Sequence, residues 1–199
     1  MAGAFEYADY HRTIIGYHGT TAEAAERLVN GEPFAESEKD DEWFGRGIYF
    51  WEHAPKQAWW WANRRTKKGK NGTPAVIGAI IRLGNCFDLL DAPNIKTLKI
   101  LGEEFLEQYK KLKTVAPKNE RIYKKLDCAV FNFLYENFSQ KNEQIDSARG
   151  VYVAPKLKRI WEASWIYEDT HIQTCIRNPQ NILAVWHVKK DGKYGKEAP

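Results

Sequence analysis

Cysteine is scarce in this chain, and no apolar run is long. Cys86, Cys128 and Cys175 are odd in number, widely spaced and free of any Cys-x-x-Cys pair, so neither a disulfide framework nor a zinc site is indicated. The five histidines are equally scattered, and no metal is expected. No apolar stretch approaches the roughly 20 residues that span a bilayer. The N-terminal segment carries Glu6 and Asp9 and lacks the apolar centre of a secretory signal. These absences count against membrane, disulfide-stapled and metal-centred classes and lead to the expectation of a cytoplasmic protein with no membrane partner.

What is present is a foldable composition. A hydrophobic content of 43% with eight tryptophans argues against disorder, and 199 residues suffice for one domain with a real core. A single domain over 1–199 is expected, with its core at about 12–189 and a polar tail at 190–199. The net charge of +4 is unevenly placed: five of the seven residues from Arg64 to Lys70 are basic, and Lys110, Lys111, Lys113, Lys118, Arg121, Lys124 and Lys125 follow. Such clusters suit phosphate backbones, although Glu103, Glu104, Glu107 and Glu120 are interleaved with the second.

Strand and helix patterns alternate without internal repeats. Thr13–Tyr17 reads as a strand, and Thr20 with Glu23 three residues on reads as a capping box opening a helix over Ala22–Val29, closed by Asn30-Gly31. Glu36–Glu42 reads as an acidic loop and Gly47–Phe50 as a strand. Pro55 stands where a helix body over Lys56–Arg65 would begin, placing Gln57, Trp60 and Trp61 on one face. Val76–Leu83 has the β-branched character of a buried strand. Thr97–Leu112 and Glu120–Phe138 show helical spacing, for example Ile122, Leu126, Ala129, Val130, Phe133 and Leu134. After a polar linker over Ser139–Ser147, strands are expected at Gly150–Val153, Thr170–Ile176 and Ile182–Val188, with a turn at Asn178-Pro179. Strands at both ends with helices between suggest an α+β fold.

Two short segments carry the functional signal. Gly16-Tyr17-His18-Gly19-Thr20 ends the first strand, and Gly45-Arg46-Gly47-Ile48-Tyr49-Phe50 opens the second. A flat ring bearing a carboxamide offers one donor face and one acceptor face, which suits the N–H and C=O of a single extended residue, and glycine there leaves the approach open. Gly19 has that character. His18 can point a ring nitrogen at a ribose hydroxyl, and Tyr49 supplies a π-face.

These segments resemble the NAD-gripping core of the ADP-ribosyltransferase superfamily, in its poly(ADP-ribose) polymerase and diphtheria-toxin branch. The resemblance implies a split antiparallel β-sheet core with surrounding helices, and NAD as co-substrate. Its catalytic residues fall on His18, Tyr49 and Gln173, the last where relatives place glutamate. It implies NAD contacts from His18, Gly19, Thr20, Arg46, Gly47, Tyr49, Gln57, Trp60 and His171. Gln57 stands where the family has a small hydroxyl residue, and Trp60 stands at its second stacking aromatic. His171 and Gln173 also fit the Glu-x-Glu positions of the cholera-toxin branch, on one strand face. Glu168 is the alternative carboxylate in a shifted register.

A neutral glutamine can orient a ribose hydroxyl but cannot stabilise an oxocarbenium ion by charge. The resemblance therefore implies a single transfer of ADP-ribose to a macromolecular acceptor, with RNA or DNA slightly favoured over protein. It also implies a toxin or phage-defence role, with an antitoxin or inhibitor protein as a further partner. Three alternatives stay open at this stage: a transferase acting on a small molecule of the antibiotic type, a tRNA 2′-phosphotransferase, and a catalytically silent NAD or ADP-ribose binding module.

Overall fold

The computed structural model of the chain describes residues 10–67, 72–120, 123–152 and 158–189. Glu6, Asp9, Lys70, Arg121, Ile122, Val153 and the polar tail from 190, all named above, lie outside them. Within the described residues the fold is mixed α/β: a large, mostly antiparallel sheet and four helices.

The strands are β1 (Thr13–Thr21), β2 (Ile48–Glu52), β3 (Pro74–Arg82), β4 (Cys86–Asp88), β7 (Ser147–Tyr152), β8 (His171–Ile176) and β9 (Ile182–His187), in the spatial order β4-β7-β8-β2-β1-β3-β9. A two-residue ladder, β5 (Asn119–Glu120) with β6 (Tyr123–Lys124), stands apart. The helices are α1 (Ala22–Val29), α2 (Pro55–Lys67), α3 (Ala92–Lys111) and α4 (Lys125–Gln140). The edge pair β4/β7 is parallel and the other ladders of the large sheet are antiparallel.

Several boundaries differ from the sequence expectation for local reasons. β1 runs on to Thr21 because β3 pairs it along its whole length, Thr13 opposite Arg82 through Thr21 opposite Pro74. Thr20 is thereby buried in the strand, and the helix cap passes to Thr21, whose hydroxyl accepts from Ala24 N at 3.3 Å. α3 starts at Ala92 rather than Thr97, with Pro93 in its first turn where no N–H is needed. α4 starts at Lys125 rather than Glu120 because Asn119 Oδ1 accepts the N–H groups of Leu126 and Asp127 at 3.0 and 3.2 Å, capping the helix from outside. Ser147, expected in a linker, is the first residue of β7.

The two sheet faces are packed differently. Tyr17 and Trp51 pack with Ala58, Trp59 and Ala62 of α2, while Ala148 and Cys175 pack with Phe131, Leu134 and Tyr135 of α4. One face therefore carries α2 over β1 and α4 over β7 and β8, with α3 stacked on α4. The opposite face buries Ile14, Ile48, Phe50, Ile81 and Ile176 under Phe34, and α1 covers its β3/β9 end.

Candidate functional site

β1 and β2 pair only at Gly16 with Glu52 and Tyr17 with Trp51, extended by His53 N–H donating to Ile15 O at 3.0 Å. Beyond Tyr17 the two strands part. Antiparallel backbones alternate the side to which N–H and C=O point, and Ile15 directs its carbonyl at β2. The same alternation turns the N–H and C=O of Gly19 toward β2, across the gap. On its other side β1 stays paired to β3, so the Gly19 peptide groups face a split in the sheet.

His18 spans that split. Its Nδ1 lies 2.9 Å from Tyr49 O, and a carbonyl can only accept, so Nδ1 carries the proton and Nε2 presents a lone pair. Burial lowers the His18 pKa, with the nearby Arg65 charge adding to the effect and the Tyr49 carbonyl opposing it. The ring is neutral at neutral pH. It packs against Phe34 and Phe50 at centroid distances of 5.9 and 5.7 Å, on the sheet face away from α2.

Tyr49 and Gln173 share the other face, since Gln173 lies opposite Trp51 and Tyr49 opposite Cys175 in the β2/β8 ladder. The Tyr49 hydroxyl donates to Gly45 O at 2.7 Å and accepts from Phe44 N at 3.1 Å, which leaves its ring as the functional surface. Gln173 Oε1 accepts from Trp43 Nε1 at 2.7 Å, so the amide NH2 remains as a donor. Trp43 itself stacks on Phe44 at 3.9 Å. Trp51 meets Trp61 of α2 at 6.1 Å, and Lys39 Nζ lies 5.6 Å over the Trp61 ring and 3.6 Å from Glu42. The cleft thus has β2 and β8 as its floor, α2 as one wall and the 39–44 segment as the other.

The remaining expected residues lie on α2, at the start of β8 and outside the strands. Gln57 and Trp60 are half-buried on α2, and the Trp60 ring contact is with Arg64, whose guanidinium lies 5.2 Å from its centroid. The pairing of Trp51 with Trp61 makes Trp61 the α2 aromatic laid over the cleft floor. His171 opens β8 on the Gln173 face and stacks on Tyr152 at 5.0 Å. Its Nδ1 lies 2.7 Å from Asp169 O and its buried Nε2 has no hydrogen-bond partner among the described residues. Burial lowers its pKa, against the pull of Asp169. Arg46 is exposed, while its backbone is held by Asn132 and Arg177. Glu168 is exposed and paired to Lys158 at 2.9 Å, outside any strand.

The glycines have packing reasons of their own. A Cβ on Gly19 would stand 2.3 Å from Ala58 O and 3.1 Å from Ala62 N, so glycine is required by the close approach of α2. Gly45, at φ +73°, and Gly47, at φ +153°, would collide with Asn132 Oδ1 and Cys175 Sγ, both at 2.4 Å. The Gly-x-Gly turn seats β2 against α4 and β8.

Three groups in the cleft escaped sequence reasoning. Lys39 and Glu42 come from the acidic loop and Trp43 directly follows it, a stretch with no periodicity to flag them. Glu42 is four-fifths buried, has one carboxylate oxygen without a partner among the described residues, and its pKa is raised by burial against the pull of Ser37 and Lys39. The thiols are poor candidates for chemistry: all three are free, and burial raises each, Cys86 to about 11.

No family model matches this chain, and no solved structure matches it. It is similar to the uncharacterized protein MJ0359 of Methanocaldococcus jannaschii, 28% identical over 185 residues covering 83% of each chain.

Proposed function

We propose that this chain is an NAD-dependent mono-ADP-ribosyltransferase that cleaves the nicotinamide glycosidic bond and passes ADP-ribose to a macromolecular acceptor, with nucleic acid favoured over protein. The observation that carries the reading is the break between β1 and β2. It leaves the donor and acceptor of one residue, Gly19, facing a gap whose far edge is Tyr49. A carboxamide needs that complementary pair, and the nicotinamide ring needs the flat face that Tyr49 retains once its hydroxyl is tied to the Phe44–Gly45 turn.

NAD is the substrate held by these groups. In the proposed step the C1′–N bond breaks, its electron pair goes to the pyridinium nitrogen, and neutral nicotinamide leaves. The acceptor nucleophile forms the new bond to C1′ and gives up its proton to water. His18 Nε2 accepts from a hydroxyl on one side of the split, and the Gln173 amide donates on the other. Trp43 fixes the rotamer of Gln173.

The test is release of nicotinamide from NAD by the purified protein. We expect slow release that His18→Ala abolishes. The wild-type rate should also fall on the acid side with a midpoint below the usual histidine value of about 6.5, as Nε2 becomes protonated. One observation favours a second reading, a silent NAD or ADP-ribose binder: the position on β8 is neutral and its oxygen is already satisfied. NAD binding without nicotinamide release in the presence of RNA, DNA and protein acceptors would establish that reading.

A further inference from the structure

The segment leading into β8 holds large apolar side chains in water. Trp161 is 64% and Trp165 89% exposed, flanked by exposed Ile160 and Ile166. The segment is nonetheless built. Arg159 and Tyr167 form a β-bridge, Glu168 N–H donates to Lys158 O at 2.8 Å, and Lys158 pairs with Glu168. Ile160 N–H donates to Ile166 O at 3.2 Å, Ser164 Oγ accepts from Ile166 N, and the Arg159 guanidinium donates to the Ser164 carbonyl while lying over the Tyr167 ring. A hairpin stem from Lys158 to Glu168 therefore presents two indoles at its tip. Exposed aromatic clusters of this kind mark interaction surfaces.

Its place follows from the strand. Glu168 is five residues before Gln173, within about 17 Å along an extended chain. Helix α2 carries Lys56, Arg64, Arg65 and Lys67 and no carboxylate. None of the four is in an ion pair among the described residues. Arg64 lies close enough to Tyr152, the ring stacked on His171, to oppose the rise that burial causes in its pKa. In the other basic cluster Lys110 and Lys125 are matched by Glu107 and Asp40, Lys111, Lys113, Lys118 and Lys124 are in no ion pair among the described residues, and Glu103, Glu104 and Glu120 are interleaved with them. Unmatched cations and bare aromatic rings near the same end of β8 suit a chain of phosphates bearing unstacked bases.

We infer that single-stranded nucleic acid docks across the mouth of the cleft, its bases stacking on Trp161 and Trp165 and its phosphates following Arg64, Arg65 and Lys67. Identifying that strand as the acceptor rests on the transferase reading above; its binding does not. Fluorescence anisotropy of labelled 12-nucleotide RNA and DNA single strands, and of a 12-base-pair duplex, titrated with the full chain without NAD, tests it. Single strands should bind more tightly than the duplex. Trp161→Ala and Trp165→Ala should each weaken binding about tenfold to a hundredfold while the salt slope stays, as expected for stacking. Trp165→Phe should recover part of the loss, which separates stacking from misfolding.

Arg64→Ala with Arg65→Ala should reduce the salt slope by about 0.7 for each phosphate that is no longer neutralised. A difference between the RNA and DNA arms identifies the sugar preferred. Absence of binding to either strand at 50 mM salt, or tryptophan variants that bind like the wild type, overturns the inference. Transfer of labelled ADP-ribose to protein alone overturns the identification of that strand as the acceptor. Nicotinamide release, measured separately without oligonucleotide, reports on the transferase reading by itself.

Discussion

His18 and Gln173 have opposite hydrogen-bonding characters. The first offers a lone pair on Nε2 because Tyr49 O fixes its proton on Nδ1, and the second offers N–H groups because Trp43 occupies its oxygen. A ribose hydroxyl can both donate and accept, so either group can orient one, but neither carries charge. Gln173→Glu changes this with little disturbance, since Trp43 Nε1 can donate to a carboxylate as well as to an amide. If β8 lies against the nicotinamide ribose, that substitution should raise nicotinamide release at least about tenfold, because a fixed negative charge then faces the developing cation. Trp43→Phe should lower release by freeing the side chain at 173. The measurement is steady-state release by both variants at neutral pH, and a Gln173→Glu variant no faster than wild type would move the ribose away from β8.

At the scale of elements, the closest approach in the cleft is between α2 and β1. Ala58 and Ala62 are fully buried and their backbones touch the face of Gly19, where no side chain intervenes. Gly19→Ala places a methyl group 2.3 Å from a helix carbonyl, and backbone cannot swing aside as a long side chain can. A cost of about 1–3 kcal/mol is expected from overpacking, read as a lowered denaturant midpoint. Transfer should fall further than stability, because α2 carries Trp61 and moves as a unit.

Much of this layer is legible in the sequence. Helix α1, the Pro55 start of α2 and the strands bearing His18, Tyr49 and Gln173 follow from caps, proline and alternation. What the sequence hides are contacts without a local period. Trp43 reaches Gln173 across 130 positions, β4 is three residues long and pairs in parallel with β7, and the exposed indoles at 161 and 165 read in sequence like any apolar pair. Which of Trp60 and Trp61 lies against Trp51 depends on where α2 sits on the sheet, which a helical wheel alone does not fix.

At the scale of the whole molecule, the sheet is tied together on the face away from α2 by charges. Arg149 of β7 forms two bonds of 2.9 Å to Glu52 of β2 and one of 2.8 Å to Asp88 of β4, and Asp88 also receives Arg12 from the approach to β1 at 3.0 Å. The side chains of Arg149, Glu52 and Asp88 are about nine-tenths buried. Removing one partner leaves the others charged and dry, which costs about 3–5 kcal/mol for a buried pair. Arg149→Met should therefore destabilise the chain strongly, although the replacement fills a similar volume. The network also sets a pH limit. Burial acts to raise the Asp88 pKa, but the Leu90 N–H and the Arg149 and Arg12 charges outweigh it, and the carboxyl is held below its usual value. A carboxyl depressed on folding binds fewer protons than the unfolded chain, so its contribution is complete above the unfolded value of about 3.9 and is lost as pH falls through the lower folded value. Thermal unfolding followed from pH 7 down to pH 2 should show wild-type stability dropping steeply below about pH 4. In Asp88→Asn that particular step should be missing and stability at neutral pH should already be lower, because the amide cannot neutralise Arg149. An Asp88→Asn profile parallel to wild type across the acid limb would mean that other carboxyls carry the acid transition.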